Sequence, residues 1–230
     1  MILYVNGDSH SAAGEAVNDF CFANDDPKYF YAGRIPHPDN LKVSYGSLLG
    51  SIIKAKFICG AESASSNDRI IRTTREFLSQ KGHEQTLVVI GWSTWEREEW
   101  LHNDVYWQVN AGGVGSDWPD EIKQQYKPWV AGLDLKKKVH QEHEKIHEFH
   151  LELAEKGIKH LFFNSFDAFD VDHQYNWGNN YVHPYTKTES YYNYSLAKGF
   201  SPTKKDGYHF GPDAHTAWAR NLLGHLTKLI

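Results

Sequence analysis

Short apolar, β-prone runs alternating with helical patterns are what most constrain this chain. The runs lie at residues 2–5, 56–59, 86–90 and 160–164. Between and after them, apolar residues recur at helical spacing. Tyr45, Leu48, Leu49, Ile52 and Ile53 mark a helix over 44–54, and Ile70, Ile71, Thr74, Phe77 and Leu78 mark one over 68–80. Val139, Ile146 and Leu153 mark a third over 134–156, and an apolar tail predicts a last helix over about 213–229. Ser66 or Asn67 is placed to cap the second helix and Gly82 to stop it, with Asp134 and Gly157 doing the same for the third. Strands alternating with helices predict a mainly parallel sheet covered on both faces, an α/β fold. The 230 residues suit one such domain, with no repeat or linker.

The first strand runs directly into Asn6-Gly7-Asp8-Ser9, which carries turn chemistry, and Ala12, Ala13, Glu15 and Ala16 then favour helix. This predicts Ser9 at the carboxyl end of the sheet beside a helix N-terminus, where open α/β sheets keep their ligand crevices. A simpler role for Asp8 or Ser9 is to cap that helix. Near the other end, Asp206-x-x-His209 precedes the last helix. A carboxylate at that spacing can fix the tautomer of an imidazole and stabilise its protonated form.

Gly7-Asp8-Ser9 and Asp206-x-x-His209 together resemble the SGNH (GDSL-type) serine hydrolases, over nearly the whole chain and most strongly at these two blocks. The resemblance implies a three-layer α/β/α, flavodoxin-like, mainly parallel sheet. It also implies that Ser9 is the nucleophile, His209 the general base and Asp206 its orienting partner. In such enzymes the oxyanion is held by the nucleophile's own N–H, a Gly of the second block and an Asn of the third. Here Ala64 stands best for that Gly, with Gly60 a second choice, provided the Ala64 φ stays negative. Ser93 of Gly91-Trp92-Ser93-Thr94 takes the asparagine position. A serine hydroxyl donates one hydrogen bond with shorter reach, and losing one such donor typically costs about 10²–10³ in rate. The run Ser66-Asn67-Asp68-Arg69-Ile70, with Gly-Trp-Ser in the third block, resembles a bacteriophage-encoded subset of these proteins.

Aromatic residues make up 14% of the chain, with 8 Trp and 13 Tyr, and many fall in stretches without periodicity at about 92–133 and 172–205. Such insertions predict a lid or substrate wall. Trp92, Trp177 and Tyr181 are accordingly candidate substrate-binding residues, in a pocket suited to a sugar or to an acyl chain. His140, His143, His147 and His150 share one flank of the 134–156 helix. They could ligate zinc, but no cysteine or carboxylate motif completes a site, so a half-buried helix border is the favoured reading. His215 competes with His209 for the base role but sits inside the last helix, where packing is expected, and Asp213 reads as that helix's cap.

A net charge of −5 gives no reason to expect a nucleic-acid or anionic-membrane partner. Cys21 and Cys59 are too few for a disulfide framework, and Cys59 is expected to be a buried thiol. No stretch approaches a membrane span, and the first strand begins at residue 2, so a leader peptide is not expected and the expected location is cytoplasmic. The favoured function is hydrolysis of a small-molecule or carbohydrate acyl ester, with no metal or organic cofactor. The alternative is a weakly active or inactive binding or structural protein of a virus.

Overall fold

The structure, a computed structural model, describes residues 1–23, 34–81 and 85–229. In chain order its first half holds β1 (Ile2–Gly7), α1 (Pro38–Lys42), α2 (Tyr45–Ile52), β2 (Lys56–Cys59), α3 (Asn67–Lys81) and β3 (Thr86–Trp92). There follow β4 (Glu98–His102), β5 (Val105–Val109), α4 (Asp120–Ala131), α5 (Leu135–Glu155), β6 (Lys159–Asn164), α6 (Tyr191–Ala197) and α7 (Pro212–Leu226). The irregular stretch expected after Ala23 falls, at 24–33, outside the described residues, as does the helix stop at Gly82.

Four strands form one parallel sheet in the order β2-β1-β3-β6, with Val5 opposite both Cys59 and Val89, and Val89 opposite Leu161. The α/β expectation is met, and strand-to-strand alternation shows why. Leu3, Val5, Leu87, Val89, Leu161 and Phe163 point to one face, where α2, α6 and α7 cover them with Tyr45, Leu49, Tyr191, Trp218 and Leu222. Tyr4, Val88, Ile90, Trp92 and Phe162 point to the other, against Ile70 and Leu78 of α3 and Ile146, Phe149 and Leu153 of α5. Each such fully buried side chain contributes about 1.5–3 kcal/mol. Beyond β6, Asn180 O and Val182 N pair with the backbone of Phe162, so a loop covers that edge. β1 connects to β2 on one side, and the chain then returns to add β3 on the other. The carboxyl ends of β1 and β3 therefore flank the point where the winding reverses, which opens a crevice there.

Within the stretch at about 92–133, expected as an irregular lid, residues 98–109 and 120–131 are regular. β4 and β5 pair antiparallel through a two-residue turn, Asn103-Asp104, both with positive φ (49° and 59°) as a type I′ hairpin requires. Trp100, Val109, Trp118, Ile122 and Tyr126 give this hairpin and α4 an apolar core of their own. Two polar clips hold it to α3. Arg72 makes a bidentate pair with Glu99 (2.8 and 2.7 Å), and Gln108 donates to Glu62 (2.9 Å), itself paired with Arg69 (2.7 Å). In the second aromatic stretch, Ser190 caps an unforeseen helix, α6.

The histidine flank of α5 packs rather than ligates. His147 stacks on Tyr175 (ring centroids 3.7 Å apart, planes within 2°), His143 Nε2 meets the Tyr185 hydroxyl (2.9 Å), and His150 Nδ1 meets His160 Nε2 (2.8 Å). Burial pushes His143 and His150 down to about 4. No helix among the described residues is long and apolar enough to cross a membrane.

Candidate functional site

The exit of β1 is built around a glycine. Gly7 has φ 152°, and a Cβ there would lie 2.1 Å from Ser11 Oγ and 2.7 Å from Gly91 O. Only glycine lets β1, β3 and the following turn approach so closely. The helix predicted after Ser9 does not form. One helical turn closes through Ala12 N to Asp8 O (3.0 Å), after which Ala13 (φ 54°) and Glu15 (φ 59°) take the left-handed conformation and fold the chain back. One local turn and one tertiary pull outweigh the helical preference of the alanines. Asp8 Oδ1 takes both the backbone N–H (3.0 Å) and ring Nδ1 (3.0 Å) of His10, and Glu15 is bound by residues from the far end of the chain. The simpler role for Asp8 or Ser9, capping a helix, therefore does not apply.

Asp8 is fully buried and ties together the ends of β1 and β3. Besides His10, its carboxylate accepts from Ser93 Oγ (3.2 Å) and lies 3.5 Å from the Arg97 guanidinium. Burial raises this carboxyl, but the charge and hydrogen bond of His10, with Arg97, outweigh it and hold Asp8 at about 2.

His209 sits on the returning arm of a small hairpin closed by a Pro202–Phe210 bridge and by Thr203 N to His209 O (2.8 Å). Asp206, expected as its partner, is at the exposed tip of that hairpin with φ 62°, and its carboxylate is not on the imidazole. The carboxylate on His209 Nδ1 is that of Glu15, at 2.6 Å. A carboxylate only accepts, so Nδ1 carries the proton and Nε2 is left with its lone pair. The His209 hydrogen bond, with Lys204 on Glu15 Oε1 at 2.6 Å, brings Glu15 to about 2 against its burial. Burial, only partly offset by Glu15, keeps His209 below its ordinary value.

Ser9, Glu15 and His209 line one cavity of about 460 Å³, together with Cys21, Ser63, Ala64, Glu96, Arg97, Asn110, Gly112 and Tyr208. It lies at the winding reversal, and Asn110 and Gly112 bring the β4–β5 insertion into its wall. Nε2 of His209 has no hydrogen-bond partner among the described residues, so its bond to Ser9 is not made in this state. Such bonds commonly tighten only when substrate is bound.

The oxyanion candidates separate. The N–H groups of Ser9 and Ala64 make no hydrogen bond among the described residues, and both residues line the cavity. Ala64 is held at φ 65°, not at the negative φ expected, a conformation that costs an alanine roughly 1–2 kcal/mol. Gly60 is excluded, because its N–H bonds Val5 O (2.8 Å) within the sheet. The Ser93 hydroxyl spends its one proton on Asp8 and accepts from Arg97 Nη1 (2.9 Å), so it is not a free donor. Arg97, missed in the sequence, is the cation that lines the cavity instead.

The aromatic candidates do not line it. Trp92 is fully buried between Phe149 and Phe162, Trp177 donates to the Tyr185 hydroxyl (2.8 Å), and the Tyr181 hydroxyl is bound to Asn164 (2.5 Å). All three belong to the core. The aromatic ring at the cavity is Tyr208. His215 packs as expected, bonded by Tyr45 N–H (3.4 Å) and the Tyr191 hydroxyl (3.2 Å), and burial drives it to about 3. Gly211, not Asp213, is the N-cap of α7. Cys21 is a buried free thiol, and Cys59 is only half-buried.

No protein-family model and no curated protein matches the chain by sequence. Among solved structures, an acetyl xylan esterase (Est2A) from the rumen bacterium Butyrivibrio proteoclasticus superposes with a TM-score of 0.45 at 12% identity. The alignment covers 98% of this chain and 63% of that one, so the chain spans less than two thirds of the structure it is similar to.

Proposed function

We propose that the protein is a serine ester hydrolase working through Ser9, His209 and Glu15. One observation carries the reading. An imidazole held by a half-buried carboxylate, its other nitrogen unpartnered among the described residues, lines the same cavity as a strand-end serine at the winding reversal of the sheet. Ser9 Oγ attacks the acyl carbon as His209 Nε2 takes its proton, and Glu15 stabilises the resulting imidazolium. The oxyanion is received by the N–H groups of Ser9 and Ala64, with the positive charge of Arg97 beside them. The alcohol leaves with the Nε2 proton. Water, activated by the same nitrogen, then releases the acid and restores Ser9. The cavity wall of Glu15, Ser63, Glu96, Arg97 and Asn110 suits the ester of a polar, hydroxylated molecule such as a carbohydrate with a small acyl group.

The test is a fluorophosphonate probe combined with turnover of a chromogenic acetate ester. Wild type is expected to be labelled and to turn over, while Ser9→Ala does neither. Equal labelling of both proteins would remove Ser9 from the mechanism. A second reading, a binding protein that retains this architecture with little catalysis, draws on the commitment of the Ser93 proton to Asp8. It would take precedence if wild type were neither labelled nor active.

A further inference from the structure

We propose that Glu15, Cys21 and His209 form an inhibitory zinc site. One ligand atom from each of the three lies within 4.8 Å of the others, and all three line the 460 Å³ cavity, which gives an ion a way in and a solvent molecule to complete its coordination. Imidazole nitrogen, thiolate sulfur and a carboxylate oxygen form a donor set that favours zinc over magnesium or calcium. Tetrahedral zinc with bonds of about 2.0–2.3 Å sets its donors roughly 3.3–3.7 Å apart. Glu15 Oε2 and His209 Nδ1, now 2.6 Å apart, therefore open slightly while Cys21 closes in. The scaffold already holds the outer contacts such a site needs, with Lys204 on the second oxygen of Glu15 and the Ser63 hydroxyl on Cys21.

Binding is an exchange. Zinc binds Nδ1 of the neutral imidazole, so the proton that Nδ1 donates to Glu15 moves through solvent to Nε2, while the proton of the Cys21 thiol leaves to solvent. The hydrogen bond that orients the imidazole is then gone, and Nε2, now carrying the ring proton, has no lone pair with which to act as a base. Cys21 has no part in the proposed hydrolysis, so its thiol serves the metal and not the reaction. Binding stands independently of the esterase reading; only its inhibitory effect rests on it.

The experiment uses the full chain, stripped with a chelator and dialysed against zinc, with cobalt as a coloured substitute. Wild type is expected to take up one zinc per chain, to ignore magnesium, and to show a thiolate-to-cobalt charge-transfer band. Cys21→Ser should lose the band and bind zinc at least about tenfold more weakly. With zinc present, probe labelling of Ser9 should fall in wild type and persist in Cys21→Ser, whose metal-free labelling should match wild type. Equal zinc binding by wild type and Cys21→Ser, or no cobalt–thiolate band in wild type, would overturn the proposal. Loss of Ser9 labelling in every condition would count against the esterase reading alone, since uptake and the cobalt band need no catalysis.

Discussion

The protein keeps two groups of histidines, and they contrast in every respect but residue type. At the end of β1, His10 and His209 each have a carboxylate on Nδ1, at 3.0 and 2.6 Å, and an Nε2 without a partner among the described residues. Along α5, His143, His150 and neighbouring His160 meet a tyrosine hydroxyl, another imidazole and a backbone carbonyl, among stacked rings. The second group has the periodic spacing that looks like a ligand motif in a sequence, yet it is packing. The first has no periodicity, yet it holds the groups able to move a proton. Partners, not spacing, decide what an imidazole does.

The sharpest way to break this contrast is to remove the groups in the cavity. Ser9→Ala and His209→Ala are each expected to lower ester turnover by about 10³-fold or more, with the fold intact by circular dichroism. Next comes the choice of carboxylate. Glu15→Gln should cost about 10²–10⁴ in kcat, because the imidazole loses its tautomer and its counter-charge, whereas Asp206→Asn should stay within about twofold of wild type. The reverse order would restore the sequence-based assignment.

Smaller and opposite in character is the effect of pH on the packed group. His143 and His150 are held at about 4 in the fold against about 6.5 when unfolded, so between these values the unfolded chain binds more protons. Their contribution is fully present above pH 6.5 and is lost as pH falls toward 4. The melting temperature should drop through that window. Asp8 and Glu15, held at about 2, give up their contribution only from about pH 4 downward, so the two groups separate along one pH series. The smallest effect is expected at Ala64. Ala64→Gly relieves the left-handed alanine and should raise stability in urea by about 0.5–1 kcal/mol, net of the freedom gained by the unfolded chain.

Much of the frame was legible because it rests on local rules. The four parallel strands, the caps at Ser66 and Asp134 and the stop at Gly157 follow from period, capping oxygens and a left-handed glycine. The β4–β5 hairpin was also legible in principle, since Asn103-Asp104 between β-prone runs is a two-residue turn signal, but it was hidden by the tryptophans around it. Glu15 was not legible. It lies in an alanine-rich run that reads as helix, and only the folded positions of Lys204 and His209 show why the chain turns there instead. Asp206 misled for the same reason. Three residues of separation bring a carboxylate near an imidazole in some turns, but here the tip of the 202–210 hairpin carries it into solvent. The aromatic candidates failed because Trp92 and Tyr181 complete the sheet's own packing.

The insertion of residues 98–131 carries its own tryptophan-rich interior and is fastened to α3 by the Arg72–Glu99 and Gln108–Glu62 contacts, while residues just past β5 reach the cavity. On the proposed reading, the part of the molecule that would meet a substrate's periphery is thus a cassette. Evolution or an engineer could trade it as a unit, altering what is admitted, while the proposed trio stays on a chassis that never has to be rebuilt.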